Sequence, residues 1–306
     1  MSDTNIFGKR GLAPAKLNLF LHINGRITHG DFQGYHELQT YFQLLTYGDW
    51  VHAEVTQKPE ITVEWRAGDE SLEHKPPSAR DDLIYRAAHL LQQAAIQQGD
   101  SPLGARIRLQ KNTPVGGGMG GGSSAAATTL RVLNELWALN LPPTDLQQLG
   151  VRLGADVPVF ITGHNAWAEG MGERITPLPS PTANQWFVIV VPQSTSLTRS
   201  LFAHPDLPRN TPKLDYEPLL SHWQTQGGNA FESIVLKESD AILDCFHALR
   251  QHTGFARLTG SGACVFSPVI SEEAGHQVSS DILNKIKAAK RVIIAKALPN
   301  ALSIPA

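Results

Sequence analysis

Apolar and polar positions along the chain fall into two periods, one of strands and one of helices, and the periods divide it into elements. Residues 17–23, 41–55 and 61–65 read as strands, and 105–109 alternates apolar and charged positions as a strand does. Residues 81–98 predict an amphipathic helix with Leu83, Ile84, Ala87, Ala88, Leu91 and Ala94 on one face. Residues 123–139 show helical spacing behind two serines suited to a helix start. A short helix over 144–153 ends at Gly154, a C-cap position. Residues 186–191 form an apolar strand closed by Pro192, and 193–218, rich in Pro, Ser and Thr, predicts surface loop. Helices over 229–252 and 272–290 follow, with strands at 256–259, 263–266 and 291–297. The second half therefore reads strand, helix, strand, strand, helix, strand, an α+β pattern with an antiparallel sheet. No internal repeat or low-complexity tail interrupts it.

Between the strand at 105–109 and the helix at 123–139 the spacing breaks into Pro114-Val115-Gly116-Gly117-Gly118-Met119-Gly120-Gly121-Gly122-Ser123-Ser124, with six glycines in its first nine residues. Glycine loses more backbone freedom on folding than any other residue, so such a run is costly unless the backbone itself must touch something. Strand, glycine loop and helix N-terminus together form an anion site: unpaired N–H groups and the positive end of the macrodipole face the anion. No Gly-Lys-Ser/Thr follows, so the loop is not a Walker A motif. A Gly116, Gly118, Gly121 match to the dinucleotide fingerprint lacks its acidic residue about 20 positions on. A linker is the bland alternative, but linkers seldom run from an alternating strand into an Ala-rich helix.

Composition changes the picture only by exclusion. A chain of 306 residues, 42% hydrophobic and 18% charged, describes a globular protein with ample core, more naturally two domains than one. A net charge of −2 argues against general nucleic-acid or membrane-surface binding, so affinity for phosphate must be local. Two cysteines, Cys245 and Cys264, give no disulfide framework and suit a reducing compartment. The opening segment has no apolar signal core, and no run of about 18 apolar residues occurs, so a cytoplasmic protein without membrane partner is expected. None of the 12 histidines has metal-ligand spacing such as H-E-x-x-H.

Three more segments carry chemistry. In A-P-A-K-L-N-L-F-L (13–21), Lys16 enters an apolar strand and needs an anionic partner if buried. In L-G-A-D-V-P-V-F (153–160), Asp156 stands among small and apolar residues, where by residue type alone a capping carboxylate is favoured over catalysis. L-T-G-S-G-A-C-V-F (258–266) is a second glycine turn, which alone reads as a plain hairpin.

In this order these segments resemble the GHMP kinase superfamily, named for galactokinase, homoserine, mevalonate and phosphomevalonate kinases. The opening segment, Gly34-Tyr35-His36-Glu37-Leu38-Gln39-Thr40, and Ala168-Glu169-Gly170-Met171-Gly172-Glu173 narrow the likeness to its branch acting on a cytidyl diphosphate sugar alcohol. The resemblance implies an α+β, two-domain fold: an N-terminal ATP-binding domain (1–178) and a C-terminal α/β sandwich with an antiparallel sheet (179–306). It implies ATP-dependent phosphorylation of the erythritol 2-hydroxyl in the non-mevalonate route to isoprenoid precursors. Asp156 then matches the catalytic aspartate and Lys16 the lysine beside it. Asn18 matches a substrate-contacting position, Tyr35 and Phe202 an aromatic pair around cytosine, and His36 the reader of the base edge. Lys111 and Thr198 match further ligand-contacting positions. Mg²⁺ is expected to bridge the phosphates, its protein ligands left open, with Ser123 or Ser124 as candidates. A monomer or weak homodimer is expected.

Two departures stand out. Residues 27–33 are longer than the branch's usual turn before Tyr-His, which bears on one wall of the cytidine site. Ala230 stands where an Asn-Asp pair often places its aspartate. Two alternatives stay open: another small-molecule kinase of the superfamily, which would not need Tyr35-His36, and a non-catalytic nucleotide-binding regulator, which could dispense with Lys16 and Asp156.

Overall fold

The computed structural model describes residues 8–30, 32–70, 78, 80–99, 103–194 and 198–299. Strands β1 (Gly8–Arg26) and β2 (His36–Thr56) pair antiparallel along nearly their whole length. With β3 (Ile61–Ala67), β4 (Gly104–Lys111), β5 (Ala166–Gly170) and β6 (Arg174–Pro177) they form a six-stranded sheet ordered β3-β4-β2-β5-β6, with β1 on the other edge of β2. The two halves of β2 pair separately, Leu38 to Phe42 with β5 and Trp50 to Thr56 with β4. Among the described strands of this sheet only β3 and β4 pair in parallel, and the crossover this requires carries helix α1 (Leu83–Gln97). Asp82 caps α1, accepting from Ile84 N at 2.8 Å and Trp65 Nε1 at 2.9 Å.

The register of β1 against β2 shifts between Pro14 and Lys16, between Asn18 and Leu21, and between Ile23 and Gly25. Such bulges bend a strand and re-aim its side chains. Two of them flank Lys16 and Asn18. Helix α2 (Gly121–Leu136) covers this sheet beside α1, burying Ala125, Ala126, Leu130 and Leu133 against Val51, Ala53 and Ile107. The short helices α3 (Pro143–Val151) and α4 (Val157–Thr162) follow.

Strand β7 (Trp186–Pro192) is central in a second sheet, antiparallel throughout and ordered β10-β7-β9-β8, with β8 (Arg257–Leu258), β9 (Val265–Val269) and β10 (Ala289–Lys296). Its alternation explains why it is apolar throughout. Val188 and Val190 face helices α8 (Asp240–Thr253) and α9 (Glu272–Lys285), while Phe187, Ile189 and Val191 face Leu17, Leu19 and Leu45 of the first sheet. Helices α5 (Thr198–Ala203), α6 (Tyr216–Gln226) and α7 (Glu232–Glu238) lie between β7 and α8. Among the described residues no helix is long and apolar enough to cross a membrane.

The α+β expectation and the antiparallel second sheet are borne out, with three local corrections. The helix expected over 229–252 is broken at Ser239, whose backbone is extended (φ −141°) and whose side chain accepts from Ile242 N, so a serine cap starts α8 afresh. The loop expected over 193–218 contains α5 and the start of α6, and buries Leu201 and Leu207. Helix α9 stops at Lys285 rather than 290, because Ile286 turns extended to lead into β10.

Candidate active site

The glycine loop joins β4 to α2 by three left-handed residues, Gly116 (φ 70°), Gly118 (φ 74°) and Gly120 (φ 72°). Close approach is a second reason for glycine. A Cβ on Gly118 would lie 2.1 Å from Thr259 O, and one on Gly120 would lie 2.8 Å from Phe160 Cζ and 3.2 Å from Lys16 Cε. Gly120 is the N-cap of α2, with no side-chain cap and no acidic residue in the first turn. The amides of Gly121, Gly122 and Ser123 therefore have no partner within the helix, and the positive end of the dipole is uncompensated. The Met119 side chain points into the core between the two sheets.

The second glycine turn is a hairpin between β8 and β9, closed by Thr259 N donating to Cys264 O at 3.0 Å. It also docks on the first loop. Ala263 N donates to Gly116 O at 3.1 Å and Cys264 N to Gly117 O at 3.2 Å. These bonds occupy loop carbonyls. Asn229 holds the hairpin from behind, donating to Leu258 O and Gly260 O at 2.8 Å each.

Strand β1 ties both turns together. Lys16 N donates to Met119 O at 3.0 Å, and Asn18 N donates to Thr259 Oγ1 at 3.1 Å. Lys16 is only 3% exposed, yet its amine meets Asn18 Oδ1 and stands 3.6 Å from Asp156 Oδ2. At that separation the contact with Asp156 is a charge pair rather than a hydrogen bond. Burial pulls the amine's pKa below the ordinary lysine value, and Asp156 partly restores it. Asp156 precedes α4 without capping it, and its side chain is 36% exposed. Asn18 Nδ2 donates to Thr40 Oγ1 at 2.8 Å. Lys16, Asn18, Asp156, Gly118, Gly120 and Phe202 line one cleft of about 270 Å³.

Residues 82–164 match the GHMP kinases N terminal domain family. A 4-diphosphocytidyl-2-C-methyl-D-erythritol kinase of Tolumonas auensis is 42% identical over 267 residues, 87% of this chain and 86% of that protein. The enzyme of the same name from Pasteurella multocida is 44% identical over 263 residues, 85% of this chain and 81% of its own. A crystal structure of 4-(cytidine 5'-diphospho)-2C-methyl-D-erythritol kinase superposes with a TM-score of 0.76 at 29% identity, covering 94% of this chain and 98% of the other. The chain belongs to the 4-diphosphocytidyl-2-C-methyl-D-erythritol kinase family. A homoserine kinase from Cytophaga hutchinsonii, at 15% identity and a TM-score of 0.68, shares the fold.

The kinase places the remaining sequence candidates unequally. Lys111 is beneath the loop, with its amine donating to Asp49 Oδ2 at 2.7 Å and to Thr113 Oγ1. Asp49 is fully buried, and its other oxygen accepts from Asn112 N and Thr113 N at 2.7 Å each. This network fixes the root of the loop. Burial lowers the Lys111 pKa, opposed by Asp49. Tyr35, 59% exposed, tops the turn between β1 and β2, its ring edge-on to Phe32 at 6.3 Å. Phe202 does not face Tyr35 among the described ring contacts; it packs on His36 at 5.3 Å and Phe231 at 4.9 Å. The Thr198 backbone opens α5, and its side chain lies outside the described residues. The longer segment 27–33 folds back as Ile27 N donates to Tyr35 O at 2.9 Å and Gly34 N to Ile27 O at 2.8 Å; Asp31 within it lies outside the described residues.

Sequence reasoning missed Thr259, Asn229, Asp49 and Arg209. Thr259, Asn229 and Asp49 act through partners distant in sequence, and Arg209 joins carbonyls of its own loop to His36 of β2, so no local spacing signals them.

Proposed function

We propose that this chain transfers the γ-phosphoryl group of ATP to the 2-hydroxyl of 4-diphosphocytidyl-2-C-methyl-D-erythritol. The observation that carries this reading is the convergence of Lys16, Asn18 and Asp156 with the glycine loop in one cleft. Phosphoryl transfer needs positioning and charge neutralisation more than covalent chemistry. The loop amides and the α2 N-terminus hold the phosphates. Asp156, the more exposed member of its pair, accepts or orients the hydroxyl proton. Lys16, 3.6 Å from Asp156, offsets charge on the transferred group. Asn18, held by Thr40, aligns the hydroxyl. Pro114, Val115 and Met119 shape the loop, and Lys111 acts from below it.

Among the described residues no cluster of three or more His, Cys, Asp or Glu side chains could hold a metal. The Ser124 hydroxyl, in the first turns of α2, is buried without a hydrogen-bond partner. That orphan oxygen fits Mg²⁺, which takes few protein ligands and completes its shell with phosphate oxygens and water. Bound there, the ion would neutralise charge on the phosphates.

At the other end, Tyr35 and Phe202 flank the cytosine and His36 reads its edge. The two-domain division falls between β6 and β7, near residue 178.

ADP release from ATP and Mg²⁺ tests the reading. It should depend on the cytidyl substrate and not on homoserine or mevalonate. Turnover with either of those instead would reassign the enzyme within the superfamily, and no turnover with any acceptor would favour a regulator.

A further inference from the structure

Arg209 stands outside every motif in the chain, yet it makes four hydrogen bonds. Its Nη1 donates to Leu207 O at 3.2 Å, and its Nη2 donates to Phe202 O at 3.3 Å and His204 O at 2.8 Å. These join the end of α5 to the loop after it. The fourth bond reaches across to the first residue of β2: Arg209 Nε donates to His36 Nε2 at 3.1 Å.

That bond settles the state of the imidazole. A guanidinium has five N–H donors, no acceptor, and does not lose its proton in proteins. His36 Nε2 must therefore present a lone pair, which leaves the ring proton on Nδ1 and the ring neutral. The surroundings act the same way. Arg26 is the strand partner of His36, and its guanidinium donates to Gly34 O at 2.9 Å in the adjoining turn. Burial, Arg26 and Arg209 all push the His36 pKa below its usual value. Glu37, the neighbouring carboxylate, is engaged by Lys213 at 2.7 Å. The ring is also held in place, packed on Phe202, which lines the cleft.

We propose that Arg209 is a specificity-determining positioning residue: it holds His36 as the neutral Nδ1–H tautomer, so that the ring meets the substrate's base with a hydrogen-bond donor. Cytosine N3 is an acceptor and can take that donor. Uracil carries N3–H there, so donor would face donor, and a site with an unmatched buried donor discriminates strongly. The inference rests on the substrate reading above for the identity of the base, whereas the tautomer is a property of the ligand-free enzyme.

The test uses the full chain with ¹⁵N-labelled histidine. Long-range ¹H–¹⁵N correlation, with the His36 signals assigned from their loss in His36→Asn, should show a protonated Nδ1 and a bare Nε2 at neutral pH. Arg209→Met should release the ring to the Nε2–H form. Arg209→Lys, which can still donate one hydrogen bond, should retain the Nδ1–H form. Affinity for cytidine diphosphate should fall about 2- to 12-fold in Arg209→Met, the range of one hydrogen bond, and preference over uridine diphosphate should narrow with it. Arg209→Lys should keep the preference, and both variants should bind an ATP analogue as the parent does. An Nε2–H or doubly protonated His36 in the parent overturns the inference. So does an Arg209→Lys enzyme that keeps the tautomer but loses the preference, since the arginine would then act only as a brace for α5. If the parent binds the ATP analogue but not cytidine diphosphate, the substrate reading fails, and the tautomer measurement alone cannot rescue the proposed specificity.

Discussion

At the glycine-loop end of the cleft, where we propose that the phosphates sit, the contact surface is main chain. The glycine loop is clasped by β1 at Met119 O, by the hairpin at Gly116 O and Gly117 O, and from below by the Asp49–Lys111 network. Around His36 the surface is side chain. Tyr35 rides an exposed turn, Phe202 belongs to a six-residue helix, and Arg209 fastens that helix to β2. Phosphate is the same on every substrate, so a rigid cradle of amides suits it. A base must be told from its near relatives, which takes donors and acceptors of chosen sense. The comparison predicts that damage at one end leaves the other intact.

Between the two ends, Asp156→Asn removes charge while keeping shape. kcat should fall about 10²- to 10⁴-fold with both ligands bound normally. Unchanged turnover in the folded variant would remove Asp156 from the chemistry. Asp49→Ala strikes the root of the loop and leaves Lys111 buried without its carboxylate. Breaking a buried pair in this way costs about 3–5 kcal/mol of stability. Denaturant unfolding reads that loss, and a cost under about 1 kcal/mol would mean that the network does not hold the loop. Gly120→Val places a β-branched side chain at positive φ against Phe160 and the Lys16 stem. On the order of 1–3 kcal/mol of local strain should appear as weaker binding of a non-hydrolysable ATP analogue by calorimetry. Cytidine diphosphate should still bind; equal losses of both ligands would erase the distinction between the ends. Tyr35→Ala is the mirror experiment. It should weaken the cytidyl ligand by about 1–3 kcal/mol of stacking and leave the ATP analogue untouched. An unaltered affinity would exclude Tyr35 from the base site.

The same contrast explains what the sequence revealed. The glycine loop was legible because its composition is hard to sustain without a ligand, and Lys16 because an amine in an apolar strand needs a partner. Strand β7 was legible as an apolar run, although its burial by two different layers was not. The hairpin at 258–266 could be read as a turn, but its docking on the loop depends on contacts more than 140 residues apart in sequence, such as Thr259 Oγ1 with Gly118 O. Lys111 shows the limit of motif position: it borders the loop as expected, but Asp49, brought beside it by the β2–β4 pairing, claims its amine. Phe202 and Arg209 lie in a stretch whose Pro and Ser content suggested loop. Their partners, Phe231 and His36, are supplied only by the tertiary fold.

Cys264 donates its backbone amide to the loop, and its thiol lies where a side chain on Gly117 would have to go. Burial pushes that thiol up to about 12, so it is scarcely nucleophilic while the loop is seated. An alkylating reagent can reach it only in the moments when the loop lifts from the hairpin. Cys245, buried in the helical layer of the other sheet face, offers an internal clock for opening elsewhere. The ratio of the two labelling rates, with and without nucleotide, turns a packing detail into a stopwatch on the glycine loop.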